Sequence, residues 1–164
     1  GRILIIDGNS CTNANYQALS LLILYIWFLK SKGCYVKLFL NNDSPLGKMW
    51  YRLGGAGCFT VFQNSTRNFQ FIDDKPMFAI RNQSTDIQVA LNKILEYTYK
   101  IDMHLISGHE STLRYIVSEL LYNTLEHGYN VLIPSLLQFN WYKNKGQLSF
   151  IVADLGVGIK KHLV

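Results

Sequence analysis

The apolar run from Ala18 to Leu29 (ALSLLILYIWFL) constrains this chain more than any other feature. A membrane-spanning helix needs about 20 consecutive apolar residues. This run is shorter, contains Ser20 and is followed by Lys30 and Lys32, so a buried helix with no membrane span is expected. A membrane-surface or signal-type segment is the alternative for an apolar run of this length, but no charged leader with a cleavage site precedes it. The run is bracketed by two short stretches rich in strand-forming residues, ILIID (Ile3 to Asp7) and YVKLFL (Tyr35 to Leu40). A polar, Asn-rich turn leads into the helix, Gly33 ends it, and Asn41 to Pro45 (NNDSP) is turn chemistry that closes the second strand and opens another helix. A strand–helix–strand unit predicts a parallel pair with a right-handed crossover.

Hydrophobic residues make up 49% of the chain, which supports a buried core and argues against disorder. The net charge of +5 raises the question of nucleic acid, but the 16 Lys and Arg residues are scattered, with pairs such as Lys143/Lys145 and Lys160/Lys161 as the tightest groups. No basic footprint for a polynucleotide emerges. Cys11, Cys34 and Cys58 are odd in number and widely spaced, which gives neither a disulfide framework nor a zinc pattern. A cytoplasmic protein is expected. The chain begins at Gly1 and ends ten residues after Asp154, and it reads as a fragment.

Between Gly54 and Lys75 the helical pattern lapses: Gly54, Gly55 and Gly57 cluster, then polar residues follow around Asn64 to Asn68. The domain boundary is placed here, giving an α/β region over 1–70 and a second region over 71–164. The second region opens with a helical pattern from about Asp86 to Tyr99, with Ser84, Thr85 or Asp86 available as a cap. A second helix is expected from Glu110 to His127. Strands Leu137 to Tyr142 and Leu148 to Asp154 follow, joined through Asn144-Lys145-Gly146 as a hairpin. Two helices before an antiparallel pair predict helices layered on one face of a sheet.

Within the second helix, Leu113, Ile116, Val117, Leu120, Leu121 and Thr124 recur at helical spacing and predict one broad apolar face. At about 100° per residue, Glu119, Asn123, Glu126 and His127 form a stripe beside that face. A carboxylate and an amide oxygen one turn apart can polarise a water and hold a hard cation. The plainer reading is the wet side of an amphipathic helix. The last strand runs into Asp154-Leu155-Gly156-Val157-Gly158, where alternate glycines permit close backbone approach to a planar ligand and Asp154 can accept a hydrogen bond from an exocyclic amine. An ordinary glycine-rich turn is the alternative. Neither a dinucleotide-binding fingerprint nor a P-loop is present.

SELLYNTLEHG (Ser118 to Gly128) and DLGVG (Asp154 to Gly158), in this order and about 25 residues apart, resemble the N box and G1 box of the histidine-kinase-like GHKL ATPase superfamily. The resemblance covers roughly Asp86 to Val164, about half of a complete domain, and implies ATP and Mg²⁺ as ligands and a partial Bergerat-type α/β sandwich with helices on one face of a mixed sheet. It implies that Glu119 orients or deprotonates the attacking group, Asn123 binds magnesium, Asp154 recognises adenine, and Gly156 and Gly158 shape the adenine loop. The His127-Gly128 ending looks most like anti-sigma-factor-type serine kinases, with no role assigned to His127. The family's lid and second glycine box would lie beyond Val164, so catalysis by this stretch alone is not expected. The strand, Asp7, helix and Gly33-then-strand pattern is similar to part of a STAS domain. Thr12, Asn13 and Ala14 stand where a STAS phosphoacceptor would precede the helix, and do not support phospho-regulation there. These readings imply a regulatory ATP-binding signalling protein, a serine kinase or ATPase, with a protein partner. The alternative is a non-catalytic nucleotide-binding or protein-interaction module.

Overall fold

The computed structural model describes residues 1–61, 75–80, 84–101, 107–126 and 133–156. The fold is α/β, and the chain divides into two units, Gly1–Ala79 and Ile80–Val164.

In the first unit β1 (Ile3–Asp7) pairs in parallel with β2 (Tyr35–Phe39), in register from Ile3↔Tyr35 to Asp7↔Phe39. Helix α1 (Tyr16–Ser31) runs between them in sequence and packs on β2. Its start is set locally: the Asn15 side chain accepts a hydrogen bond from the Ala18 amide at 2.7 Å, satisfying one orphan donor of the first turn. Its end is a Schellman motif. Gly33, at a φ of 76°, sits where a left-handed residue is needed, and the Gly33 and Cys34 amides return to the Lys30 and Leu29 carbonyls at 2.9 and 3.0 Å. Leu19, Ile23, Leu24, Ile26 and Trp27 are buried, whereas Leu21, Tyr25 and Phe28 on the other side are exposed. The apolar run is thus a helix buried on one side only.

Helix α2 (Pro45–Leu53) starts as NNDSP predicts, with the Ser44 hydroxyl accepting from the Gly47 amide at 3.0 Å and Pro45 in the first turn. Gly54, left-handed at φ 102°, ends it and leads directly into α3 (Gly55–Thr60). The helical pattern of the sequence lapses at this point. Helix α3 forms nevertheless, because tertiary contacts hold it: a Cβ on Gly55 would lie 2.3 Å from the Trp50 ring, so only glycine permits the approach. The Trp27 Nε1–H donates to the Cys58 carbonyl at 2.8 Å, and Lys30 Nζ donates to the Phe59 carbonyl while lying 3.7 Å from the Phe59 ring centre. These two donors from α1 add to the bonding at the end of a short helix, where the Cys58 carbonyl also accepts from the Val61 amide at 3.3 Å.

Lys30 makes the stability of this unit pH-dependent. Burial against Phe59 pushes its amine down from 10.5 to about 8, so above pH 8 the unfolded chain binds more protons and stability rises with pH. Burial pushes the Cys58 thiol up from 9.0 to about 12, so from pH 9 upward the folded state retains the extra proton and Cys58 opposes the rise. Between pH 8 and pH 9 the Lys30 effect is the larger of the two, because the unfolded Cys58 thiol only begins to ionise there. Urea denaturation at the two pH values is expected to give a higher midpoint at the upper one. Lys30→Met should abolish the rise, and a rise that persists unchanged would show that another group titrates.

The divide between the units falls inside β3 (Met77–Ile80), a fully buried strand too short to read from periodicity. The second sheet has the order β3-β4-β5. Strand β4 (Ser135–Tyr142) pairs antiparallel with β5 (Gln147–Ala153), joined by a short 3₁₀ turn (Lys143–Lys145) and Gly146 at φ 57°. The central strand β4 is buried from Ser135 to Asn140, while β5 is half-buried along most of its length. Helix α4 (Ser84–Ile101) meets the sheet where Tyr97 packs edge-on against Phe139, with ring centres 4.8 Å apart. Helix α5 (Glu110–Glu126) contacts both α4 and β5. Among the described residues, no helix is long and apolar enough to cross a membrane.

Candidate functional site

Helix α5 carries the first two predicted site residues. Val117, Leu121 and Thr124 are its buried stripe. Ile116 and Leu120, which broaden the apolar face in the sequence, are 49% and 40% exposed. With the buried stripe narrowed to Val117 and Leu121, Glu119 lies on the opposite side of the helix rather than beside the core. Asn123 lies one turn further along, and both are exposed. Tyr115 and Tyr122 flank them on one side, Ile116 and Leu120 on the other, all exposed. A purely solvated helix face would not group four large apolar side chains around a carboxylate and an amide.

Helix α5 is fastened at its start. Glu110 accepts from Tyr99 Oη at 2.7 Å and from Arg114 Nε at 3.0 Å, and Arg114 also donates to Asn92 Oδ1 at 3.4 Å. The Tyr99 hydrogen bond, then the Arg114 contact, holds the Glu110 carboxyl below its ordinary range, and the same bond raises the Tyr99 hydroxyl. The pair Glu110/Arg114 is visible in sequence as an i,i+4 ion pair. The reach of Tyr99 from α4 is not, because it depends on how the two helices pack.

Asp154 follows the last residue of β5 and is exposed. Its Oδ1 accepts a hydrogen bond from the Gly156 amide at 2.7 Å, an Asx turn that fixes the direction of the carboxylate. A carboxylate has acceptor positions beyond the one used here. Glu119 and Asn123 thus share the side of α5 away from its buried stripe, and Asp154 follows the strand that α5 touches. Gly156 lies at the bend after Asp154, while Gly158, His127 and Gly128 fall outside the described residues.

Asn123 offers an amide oxygen and Glu119, one turn away, a carboxylate, both exposed. Mg²⁺ is commonly held by one or two carboxylates and completes its shell with water and phosphate. Among the described residues, no group of three or more His, Cys, Asp and Glu side chains is arranged to hold a metal by itself. In the first unit, an open cleft is lined by residues including Leu38, Trp50, Tyr51 and Phe59 and holds none of the predicted site residues.

No family model and no solved structure matches the chain. The chain is similar to the phosphate regulon sensor protein PhoR of Haemophilus influenzae, with 32% identity over 95 residues, or 58% of this chain. The matched stretch spans 21% of that protein's length. This similarity is consistent with a histidine-kinase-like domain and with a signalling protein of that class.

Proposed function

We propose that the second unit binds Mg²⁺-ATP and belongs to a regulatory, cytoplasmic signalling protein of the histidine-kinase-like ATPase class, acting as a serine kinase or ATPase through a protein partner. The observation that carries this reading is the exposed pair Glu119 and Asn123 on α5, the helix in contact with the strand that leads into Asp154. The similarity to a protein named as a sensor supports the signalling part, and the parallel β1–β2 pair with α1 between its strands in sequence supports a STAS-like first unit. Bound Mg²⁺-ATP supplies the phosphoryl group to be transferred. The chain's own contribution is positioning and charge placement, which is most of what phosphoryl transfer asks of a protein. Asn123 offers a neutral oxygen to the cation. Glu119, on the same side of the helix, orients a hydroxyl or water and takes its proton. Asp154, held by its turn, accepts a hydrogen bond from the adenine amine, and Gly156 and Gly158 leave room for the ring.

Calorimetric titration of ATP with and without magnesium tests the assignment. Asn123→Ala is expected to remove the magnesium-dependent gain in affinity, a loss of about tenfold or ~1.4 kcal/mol. Glu119→Gln, which keeps shape but loses the basic carboxylate, should leave binding intact. An unchanged magnesium dependence in folded Asn123→Ala would overturn the proposal. The exposure of Tyr115, at 67%, favours a second reading in which this face of α5 is a protein-contact surface without catalysis. In that case neither variant alters any nucleotide affinity.

A further inference from the structure

Parallel strands are ordinarily covered on both faces, and a two-stranded sheet is marginal in water on its own. In the first unit, α1 packs on β2, and Leu4, Ile6, Val36 and Leu38 are buried or half-buried. The register places the other alternate residues together on the second face: Ile3 beside Tyr35, Ile5 beside Lys37, and Asp7 beside Phe39. All six are exposed, with Ile3, Ile5 and Tyr35 each above 60%. This is an apolar face with one acidic and one basic residue on neighbouring strands, adjacent rows apart.

We propose that this face is the interface of a homodimer, in which two copies pack sheet to sheet about a two-fold axis parallel to the strands. The inference rests on the first unit alone and is independent of nucleotide binding. Such an axis keeps each row level and exchanges the two strands. Ile3 then faces Tyr35 of the second copy, Ile5 faces its Lys37, and Asp7 faces its Phe39. The Lys37 stem covers Ile5 of the other copy while its ammonium extends one row along to that copy's Asp7, and symmetry repeats the contact. The face is self-complementary in charge because its two opposite charges lie on the two strands that the axis exchanges. A heterologous partner would need no such balance. A face two strands wide is smaller than a standard interface of about 800 Å² per partner, so a weak, transient dimer is expected.

Sedimentation equilibrium of the intact chain, from about 1 to 300 µM to bracket that affinity, is expected to show the mass rising from 18.8 kDa towards twice that value. Lys37→Asp places two carboxylates together at each contact, and Asp7→Lys places two amines there. Each variant should dissociate at least tenfold more readily than the parent. An equal mixture of the two should recover the dimer, since each then supplies the charge the other lacks. Asp7 also accepts from the Asn9 amide at 2.9 Å, so Tyr35→Lys, away from that turn, provides an independent disruption. Circular dichroism checks that each variant folds. A parent chain that stays monomeric throughout overturns the proposal. So do folded charge variants that dimerise like the parent, or a mixture that remains monomeric.

Discussion

Trp27→Ala is expected to unfold the first unit under conditions where the parent chain is stable. The indole is fully buried, and its Nε1–H donates to the Cys58 carbonyl at 2.8 Å, tying α1 to α3. Removing a large buried aromatic costs about 3–5 kcal/mol through lost burial and the cavity left behind. The Cys58 carbonyl keeps the Val61 amide at 3.3 Å, so losing the indole donor adds about 0.5–1.5 kcal/mol. Together these approach the whole stability of a small domain, about 5–15 kcal/mol. Hydrogen exchange of the α1 amides is the direct measurement, because it reports on this unit separately. Trp27→Phe keeps most of the volume and loses only the hydrogen bond, so it should retain a large part of the protection. Parent-like protection in Trp27→Ala would mean that the α1–α3 contact is not part of the core.

Asp154→Ala is expected to weaken ATP binding by about 1.5–3 kcal/mol, the range for a hydrogen bond to a charged group, and to erode selection of ATP over GTP. GTP presents a carbonyl where ATP presents an amine, and a site built to accept a hydrogen bond penalises a ligand that cannot donate one. The Asx turn sharpens the test, since alanine also removes the acceptor for the Gly156 amide. Asp154→Asn can keep that turn through its amide oxygen while presenting an NH₂ donor to the base. If Asp154 reads adenine, Asp154→Asn should lose ATP affinity and move the preference towards GTP. Competition binding on a chain extended through the family's lid is the measurement. Parent-like ATP selection in folded Asp154→Asn would make Asp154 a turn residue and end the adenine assignment.

Strand–helix–strand order in the first unit is legible in sequence because the signals are local. Asn15 and Ser44 cap helices through their own side chains, Gly33 takes the left-handed angle that ends α1, and short stretches of strand-forming residues mark β1 and β2. The hairpin of β4 and β5 is legible for the same reason, with Gly146 left-handed at the turn. The residues with candidate chemistry, Glu119, Asn123, Asp154 and Gly156, are likewise marked by motif and spacing alone. Packing decided what periodicity could not. Helix α3 exists in a glycine-rich stretch because Gly55 accepts the Trp50 ring and α1 supplies donors to the Cys58 and Phe59 carbonyls. Ile116 and Leu120 have the spacing of core residues, yet they stand at the surface around Glu119 and Asn123. Hydrophobic spacing marks which residues share a side of a helix, whereas burial depends on which neighbours arrive from distant parts of the chain. That dependence is why most elements and the candidate residues were marked by sequence, while α3, the exposed side of α5 and the open face of the β1–β2 pair were decided only by the tertiary structure.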